Sequence, residues 1–407
     1  MLVTSWEQVY LVLGSLALAI IVQKIGQQAL KYFPVIQRLN LPTSVIAGLF
    51  FAAIITLIKT YWDIQLNLSM PLRDFLLVVF FCCVGLSVRF REILSGGRAL
   101  LVLCLLAILL VLAQNLVGVL VMAAFGEHPL FGLLSGSIPF VGGFGSSLAW
   151  GTEWESQGLT LAKELAFACS TLGLIAGGLL AGPMASYLIH KEKLGFVENP
   201  DRLKERAAAE TFSQTQSHCT YAHFIKLALV ILACVLIGDL ILSFLNLIGM
   251  HLPRFLVVML VGLIVVNLFP QKSSWVDPEV GESVSTFCFN SFIILSLIGM
   301  HVFMLSNLIA PVLIILVLQI ILTVLFSSMV VFRLMGKDYE AAVISSGVVG
   351  FGLSSLAVAV ATVQTISNNY GAAPRALLLT SLVGAALIDL ANNLLIIILA
   401  KLPLFAI

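Results

Sequence analysis

Long apolar runs alternate with short polar stretches along almost the whole chain. A helix needs roughly 20 apolar residues to cross the hydrocarbon core of a bilayer, and ten runs approach or exceed that length. We therefore predict spanning helices at 6–30, 42–58, 75–90, 99–124, 162–189, 222–246, 253–270, 284–304, 308–332 and 375–400. The pattern is typical of an all-α polytopic membrane protein.

Two further apolar segments, 128–150 and 338–362, are too rich in glycine and serine for ordinary spanning helices. They share a phrase, Gly143-Phe144-Gly145-Ser146-Ser147-Leu148-Ala149 and Gly350-Phe351-Gly352-Leu353-Ser354-Ser355-Leu356-Ala357. Non-helical backbone survives in hydrocarbon only where it is buried in protein or lines a cavity. We predict that each segment is re-entrant. In the first, a helix should break at Pro139 and a second helix should start near Ser146.

The shared phrase belongs to a longer internal repeat. Leu41-Pro42 matches Leu252-Pro253, and Ser135-Gly136 matches Ser346-Gly347, at offsets near 207 to 211 residues. The halves 1–190 and 222–407, joined by a polar cytoplasmic linker at 191–221, would each have five crossings and one re-entrant segment. An odd number of crossings inverts the second copy, which is the arrangement of many secondary transporters.

Charge sets the predicted orientation. Hydrophobic residues make up 60% of the chain and charged residues 10%, and the net charge of +1 gives no sign of a nucleic-acid partner. Sixteen of the 21 basic residues fall on one side when the loops are assigned alternately. Because basic loops stay in the cytoplasm, we predict that both termini are extracytoplasmic.

The two glycine-serine segments are the first candidate site. Amides and hydroxyls at a helix start inside the membrane would suit a carboxylate. The candidate substrate- or ion-binding residues are Ser135, Ser137, Gly142, Gly143, Gly145, Ser146 and Ser147 in the first segment, and Ser345, Ser346, Gly350, Gly352, Ser354 and Ser355 in the second. The alternative is that these small residues only allow tight helix packing.

Polar residues in two predicted spans add to this site. Asp389, Asn392 and Asn393 share one helix face, and we predict that they form a Na⁺ site; the alternative is a hydrogen-bonded structural cluster. Gln114-Asn115 is expected to form interhelical hydrogen bonds, with ligand contact by Asn115 as the second possibility. Trp150, like Trp62 and Trp154, is expected in the outer aromatic belt.

The ordered motifs closely resemble those of the bacterial sodium/glutamate symporter family. They are Leu72-Arg73-Asp74, Gly96-Gly97-Arg98, Gln114-Asn115, Ser135-Gly136-Ser137, Gly142-Gly143 with Gly145, Ala149-Trp150, Gly336-Lys337, Ala341-Ala342, Gly350-Phe351-Gly352-Leu353 and Ile388-Asp389. The resemblance implies Na⁺-coupled uptake of L-glutamate across the bacterial inner membrane by a homodimer of inverted-repeat subunits. Na⁺ would be the coupling ion and no cofactor is implied. Phe144 stands where the family often has histidine.

Without that resemblance, the residues indicate only a secondary transporter for a small polar or anionic solute. A Na⁺- or H⁺-coupled symporter for another small carboxylate or amino acid is the main alternative. A passive channel is less favoured, because channel pores usually assemble from several like elements around an axis. No enzymatic activity is predicted, since the sequence offers no paired carboxylates, metal-ligand spacing or Ser/His constellation at membrane depth.

Overall fold

The computed structural model describes residues 2–32, 42–62, 67–90, 97–194, 221–248, 252–268, 277–298 and 308–405. Within these ranges the chain forms helices joined by turns, and it forms no strand. The predicted linker, 191–221, lies almost entirely outside them. An all-helical chain is what the apolar pattern predicts.

Fifteen helices are numbered here in chain order. They are α1 (Leu2–Tyr32), α2 (Thr43–Trp62), α3 (Met70–Ser87), α4 (Gly97–Ala124), α5 (Pro129–Leu134), α6 (Ser137–Phe140), α7 (Gly143–Ser156), α8 (Ala162–Lys191), α9 (Tyr221–Leu247), α10 (Arg254–Leu268), α11 (Pro278–Ile298), α12 (Ile309–Leu334), α13 (Tyr339–Leu353), α14 (Leu356–Tyr370) and α15, which runs as Pro374–Leu382, Val383–Leu387 and Ile388–Ala400. A short 3₁₀ turn, Pro403–Phe405, follows.

The helices fall into two compact units, and each unit takes part of both halves of the sequence. Unit 1 is Met1–Val88 with Cys219–Val302, and it contains α1–α3 and α9–α11. Unit 2 is Arg89–His218 with Phe303–Ile407, and it contains α4–α8 and α12–α15. Both glycine-serine segments and Asp389 therefore belong to unit 2.

Small residues bring the helices of unit 1 into close contact. α3 packs along α10 and α11. A Cβ atom at Gly85 of α3 would overlap the Met259 carbonyl of α10, and one at Gly262 of α10 would lie 2.9 Å from the Cys82 carbonyl oxygen. Close backbone approach through small residues is the usual means of helix association in a membrane.

Two helices start earlier than the apolar pattern predicts. α3 begins at Met70 instead of residue 75, and α11 at Pro278 instead of residue 284. Ser69 Oγ accepts the Leu72 N–H at 3.3 Å, and the Asp277 side chain accepts the Glu279 N–H at 3.0 Å. The polar caps and their prolines start each helix before its apolar run begins.

The first glycine-serine segment breaks at other residues than predicted. It forms three helices, α5, α6 and α7, with breaks at Ser135-Gly136 and at Val141-Gly142. Pro139 lies inside α6, and the last helix starts at Gly143 instead of near Ser146. Gly143 has a φ of +59°, a left-handed conformation that is costly for residues with a Cβ. The positive φ fixes the turn at this glycine.

The second segment is helical through its glycines. α13 includes Gly347, Gly350 and Gly352, and the break comes after them, at Ser354-Ser355. Cβ atoms at Gly347 and Gly350 would press on Thr380 and on the Ala359 backbone. These glycines serve close packing inside a helix, and the turn is made by serines.

Seven helices of the described residues are long and apolar enough to cross a membrane. They are Glu7–Gln28 within α1, then α3, α4, α8, α9, α11 and α12. Within the described ranges, each of the ten predicted spans overlaps a helix, although α10 at 15 residues is shorter than a full crossing usually needs. The chain is thus an α-helical protein with several potential crossings.

Candidate functional site

The breaks of the two glycine-serine segments lie against each other inside unit 2. A Cβ atom at Gly143 would lie 3.3 Å from the Ser354 carbonyl oxygen. Glycines of α8 make room for the second break, because a Cβ at Gly173 would meet the Leu353 carbonyl and one at Gly177 would meet the Ser354 side chain, at 2.5 and 2.8 Å. The structure therefore joins two regions that are far apart in sequence.

Two neighbouring side chains of α4 hold the two segments. Asn115 Oδ1 accepts the Ser137 N–H at 3.0 Å, at the start of α6. Gln114 donates through Nε2 to the Gly352 carbonyl at 2.7 Å, near the end of α13. Both side chains are buried. The predicted interhelical hydrogen bonding of this pair is confirmed.

Three side-chain oxygens meet where α4, α6 and α15 converge. Ser137 Oγ lies 2.9 Å from Asn115 Oδ1 and 2.6 Å from Asn392 Oδ1. One hydroxyl has a single proton, so it can donate to only one of these oxygens at a time. Asn392 also donates through Nδ2 to the Ser137 carbonyl at 3.2 Å. The Ser137 N–H also donates to Asn115 Oδ1, so three side-chain oxygens lie close together in a buried place. Oxygen ligands are what a hard cation prefers.

Asp389 and Asn393 lie on the same helix as Asn392 but have different surroundings. Asp389 is half-buried, and within the described ranges no side chain or amide donates to its carboxylate. Asn393 is fully buried; its Oδ1 accepts the Trp150 Nε1–H at 2.7 Å and its Nδ2 donates to the Asp389 carbonyl at 2.8 Å. Asn392 therefore joins the oxygen cluster, whereas Asn393 is held by Trp150.

Trp150 is a residue whose position the sequence reading got wrong. It was expected in the outer aromatic belt, but 2% of its surface is exposed and its ring packs beside Trp154 at 5.2 Å. Trp154 is buried as well. A signal was available in the sequence. An asparagine buried within a span, such as Asn393, needs a hydrogen-bond donor, and the indole N–H of Trp150 can provide one.

The serine hydroxyls divide into engaged and unengaged groups. Ser135 donates to the Phe131 carbonyl, Ser346 to the Val343 carbonyl, and Ser147 shares a 2.6 Å hydrogen bond with Ser170 of α8. The buried hydroxyls of Ser345 and Ser354 find no partner among the described residues. The second group is the part of the predicted site that has free hydrogen-bonding capacity.

Two helices start at the junction of the breaks without a side-chain cap. α7 has Gly142 as its N-cap and α14 has Ser355, and neither residue makes a side-chain capping hydrogen bond. The first N–H groups of a helix have no hydrogen-bond partner within the helix, and the helix start has a partial positive charge. Ser354, with its unpartnered hydroxyl, directly precedes the cap of α14. Uncapped helix starts of this kind are typical of anion-binding sites.

Local helix geometry changes just before the polar face of α15. A π-helical turn, Val383–Leu387, interrupts the helix, and Asp389 follows it by two residues. Such turns frequently occur at functional sites. A second π-helical turn, Ser327–Val331, lies in α12.

Phe144 lies in the first turn of α7. Its side chain is buried, and its ring packs 5.3 Å from the ring of Phe167 on α8. A histidine could not make the same apolar contact without burying a polar nitrogen. At this position the chain therefore uses packing against α8 in place of a polar group.

Apolar helices of this number and length, with two broken segments meeting in one unit, define a multi-pass α-helical membrane protein. Comparison with known proteins narrows this class. A family model described as sodium/glutamate symporter matches residues 10–372. The chain belongs to the sodium/glutamate symporter family.

Individual relatives agree with the family model. The chain is 34% identical over 390 residues to the sodium/glutamate symporter of Haemophilus influenzae, covering 93% of this chain and 94% of the relative. It is 32% identical over 397 residues to the sodium/glutamate symporter of Escherichia coli, covering 97% and 98%. The resemblance seen in the motifs is confirmed, and the chain is a transporter-family member and not an enzyme.

Among solved structures, the sodium proton antiporter MjNhaP1 from Methanocaldococcus jannaschii is similar over 95% of this chain and 96% of its own. The sequence identity is 13% and the TM-score is 0.41.

Proposed function

We propose that this protein takes up L-glutamate with Na⁺ across the bacterial inner membrane by alternating access. The observation that carries the proposal is the junction of the two breaks, where Gly143 and Ser354 face each other. Paired interrupted helices are a common way for secondary transporters to form a solute site within the membrane. We infer the substrate, glutamate, and the coupling ion, Na⁺, from the relatives, which are named sodium/glutamate symporters.

The glutamate carboxylates bind at the uncapped starts of α7 and α14. The α7 amides follow Gly142, and the Ser354 hydroxyl and the α14 amides approach from the second segment. A helix start attracts anions because its first N–H groups have no partner within the helix. The residues that contact the glutamate carboxylates are then Gly142, Gly143, Gly145, Ser354 and Ser355.

Na⁺ binds at the oxygen cluster of Asn115, Ser137 and Asn392. Asp389 lies one helical turn from Asn392 and supplies negative charge, since no described cation or donor meets its carboxylate. A carboxylate within a membrane segment needs a proton or a cation to offset its cost. Asn393 then acts through its hydrogen bonds to Trp150 and to the α15 backbone.

The remaining predicted residues serve the backbone around this site. The hydroxyls of Ser135, Ser147 and Ser346 bond within unit 2, and Gly350 and Gly352 pack closely inside α13. We propose that they shape the site without touching the cargo. Ser146 and Ser345 stay candidates for contact from within α7 and α13.

The finer architecture is also part of the proposal. Ten crossing helices form two inverted five-helix repeats, 1–190 and 222–407, joined by a cytoplasmic linker at 191–221. Each repeat has one re-entrant segment, and both termini lie outside the cytoplasm. The protein works as a homodimer in the lipid bilayer. The order of helices supports the repeat, since α4, a broken segment and α8 are matched by α12, a broken segment and α15.

Transport into proteoliposomes tests the function directly. Purified protein should take up radiolabelled L-glutamate when Na⁺ is higher outside, and uptake should saturate with glutamate. Unlabelled aspartate and other dicarboxylic amino acids define the substrate preference by competition. Uptake that is unchanged when the Na⁺ gradient is collapsed, or that follows a proton gradient instead, would contradict the proposal.

A further inference from the structure

A groove on unit 2 lies between the C-terminal parts of α8 and α12. Its volume is about 540 Å³, within the range of small-molecule sites. The apolar part of its lining, called the floor below, includes Leu180 and Met184 from α8 and Leu325 and Met329 from α12. This groove shares no lining residue with the junction of the two breaks.

Irregular backbone accompanies both walls of the groove. Pro183 interrupts the hydrogen bonding of α8, and the π-helical turn Ser327–Val331 widens α12. A proline inside a helix removes one backbone bond and displaces the turn before it. Both walls of the groove therefore contain irregular helical backbone.

Basic residues stand at one end of this groove. Lys191, Arg333 and Lys337 line it together with one acidic residue, Glu192. Lys191 Nζ lies 5.3 Å from the centre of the Tyr187 ring. Among the residues that the structure describes, no carboxylate forms a salt bridge with any of the three cations. Within the described part of the chain, the rim therefore has three cations against one carboxylate.

Lys337 has a backbone conformation that is unusual for lysine. Its φ is +55°, directly after Gly336 at +123°. A left-handed conformation costs a non-glycine residue roughly 1–2 kcal/mol. Glycine or asparagine would fit this position at lower cost.

We propose that the groove between α8 and α12 binds one anionic phospholipid. The cations hold the phosphate of the headgroup, and the apolar floor holds the start of an acyl chain. A free anion would match the rim but would leave the floor without an apolar partner, whereas an amphiphile matches both. Basic pockets between membrane helices are known to suit such headgroups. The inference requires only that unit 2 lies in a membrane, and it does not depend on the cargo.

Native mass spectrometry of the full-length protein tests this inference. The protein in mild detergent is offered phosphatidylglycerol and phosphatidylethanolamine at equal concentrations. The wild type should retain one phosphatidylglycerol preferentially. A variant with Arg333→Gln and Lys337→Asn should lose about fivefold in affinity for each cation removed, or on the order of 25-fold in total. Asparagine tolerates the left-handed backbone, so the turn is preserved.

A matched control removes two cations elsewhere. Lys24→Gln with Lys226→Gln takes the same charge from unit 1 and should leave the retained lipid unchanged. Equal retention of both lipids by the wild type, or equal loss in the control, would show that the preference does not come from the groove. Displacement of the lipid by millimolar inorganic phosphate would show that the rim binds a free anion, and would overturn the proposal.

A second measurement locates the lipid without removing charge. A photoreactive benzoylphenylalanine at Met329, which is exposed on the groove floor, should cross-link phosphatidylglycerol in vesicles. The same group at Leu236 of α9, an exposed residue of unit 1, is the control for contact with bulk lipid. A cross-link from Met329 to a second protein copy, or equal lipid labelling at both positions, would refute a specific lipid site.

Discussion

Gly143 is the residue at which backbone conformation and the contact between the two breaks coincide. Its φ is +59°. A Cβ atom at this position would lie 3.3 Å from the Ser354 carbonyl oxygen. A side chain here both strains the turn and presses on the opposite break. The second copy of the phrase has no such turn, because Gly350 lies inside α13.

Gly143→Ala should lower Na⁺-dependent glutamate uptake by roughly tenfold, since a left-handed alanine costs about 1–2 kcal/mol. The measurement is initial uptake in proteoliposomes at equal protein content. Gly182→Ala on α8 is the control, because a Cβ there meets no atom within 4 Å. Equal loss in both variants would mean that the position of the glycine is not decisive.

Ser137 is the residue that tests the Na⁺ site. Ser137→Ala removes the oxygen between Asn115 and Asn392 and should raise the half-saturating Na⁺ concentration by about tenfold, since a polar contact to a charged group contributes about 1.5–3 kcal/mol. The maximal uptake rate should change less. Ser147→Ala, whose hydroxyl is engaged with Ser170, should leave Na⁺ activation unaltered. Normal Na⁺ activation in Ser137→Ala would exclude this cluster.

At the residue scale, the sequence predicts which polar residues lie within the spans, but it does not predict their hydrogen-bond partners. Asp389, Asn392 and Asn393 follow from their spacing on one helix, and Gln114-Asn115 from polarity within a span. Ser137, the partner of Asn115, is only 22 residues away, but the partners of Gln114, Asn392 and Asn393 lie more than 200 residues away on other helices, such as Trp150 for Asn393. A tryptophan near a span end fits an aromatic belt equally well, so the pattern alone could not place it inside unit 2.

At the scale of elements, α7 and α15 are joined by the hydrogen bond from Trp150 to Asn393. This bond connects the first glycine-serine segment to the helix of Asp389. The neighbouring Asn392 contacts Ser137 of α6. Two adjacent asparagines thus attach one helix to two parts of the same broken segment.

Trp150→Phe should destabilise the protein by about 1–3 kcal/mol, because the buried Asn393 oxygen loses its donor while most of the ring volume is kept. The thermal unfolding midpoint in detergent is the measurement. Trp154→Phe is a close control, since Trp154 is also buried and its indole makes no hydrogen bond to a described residue. Equal midpoints for the two variants would show that the link is not stabilising.

The existence of helices was predictable, but some of their ends were not. Apolar periodicity locates α4 and α8 well, whereas α3 and α11 begin in polar turns at Ser69 and Asp277 that carry no apolar signal. The two copies of the phrase also differ in use: the break comes before it in one and within its serines in the other. A shared glycine-serine motif does not determine where the turn forms. In the second copy, the glycines stay helical and pack against Thr380 and Ala359.

At the scale of the whole molecule, the predicted inverted topology can be measured with reporter fusions. Green fluorescent protein inserted within residues 195–220 should fluoresce, because this linker is predicted to be cytoplasmic, and alkaline phosphatase after Ile407 should be active outside. Exchanging the two reporters is the control and should silence both. Fluorescence from a reporter at the C-terminus would contradict the predicted orientation.

The composition of the two units has a consequence for how the protein is made. α1, α2 and α3 are synthesised well before their partners in unit 1, which belong to the stretch that begins at Cys219. Unit 2 is likewise incomplete until α12 to α15 have been synthesised. During translation, therefore, early helices must wait in the bilayer with their packing surfaces uncovered. If translation stopped in the linker, the released chain would contain neither unit in full. We expect membrane proteases to degrade such a chain.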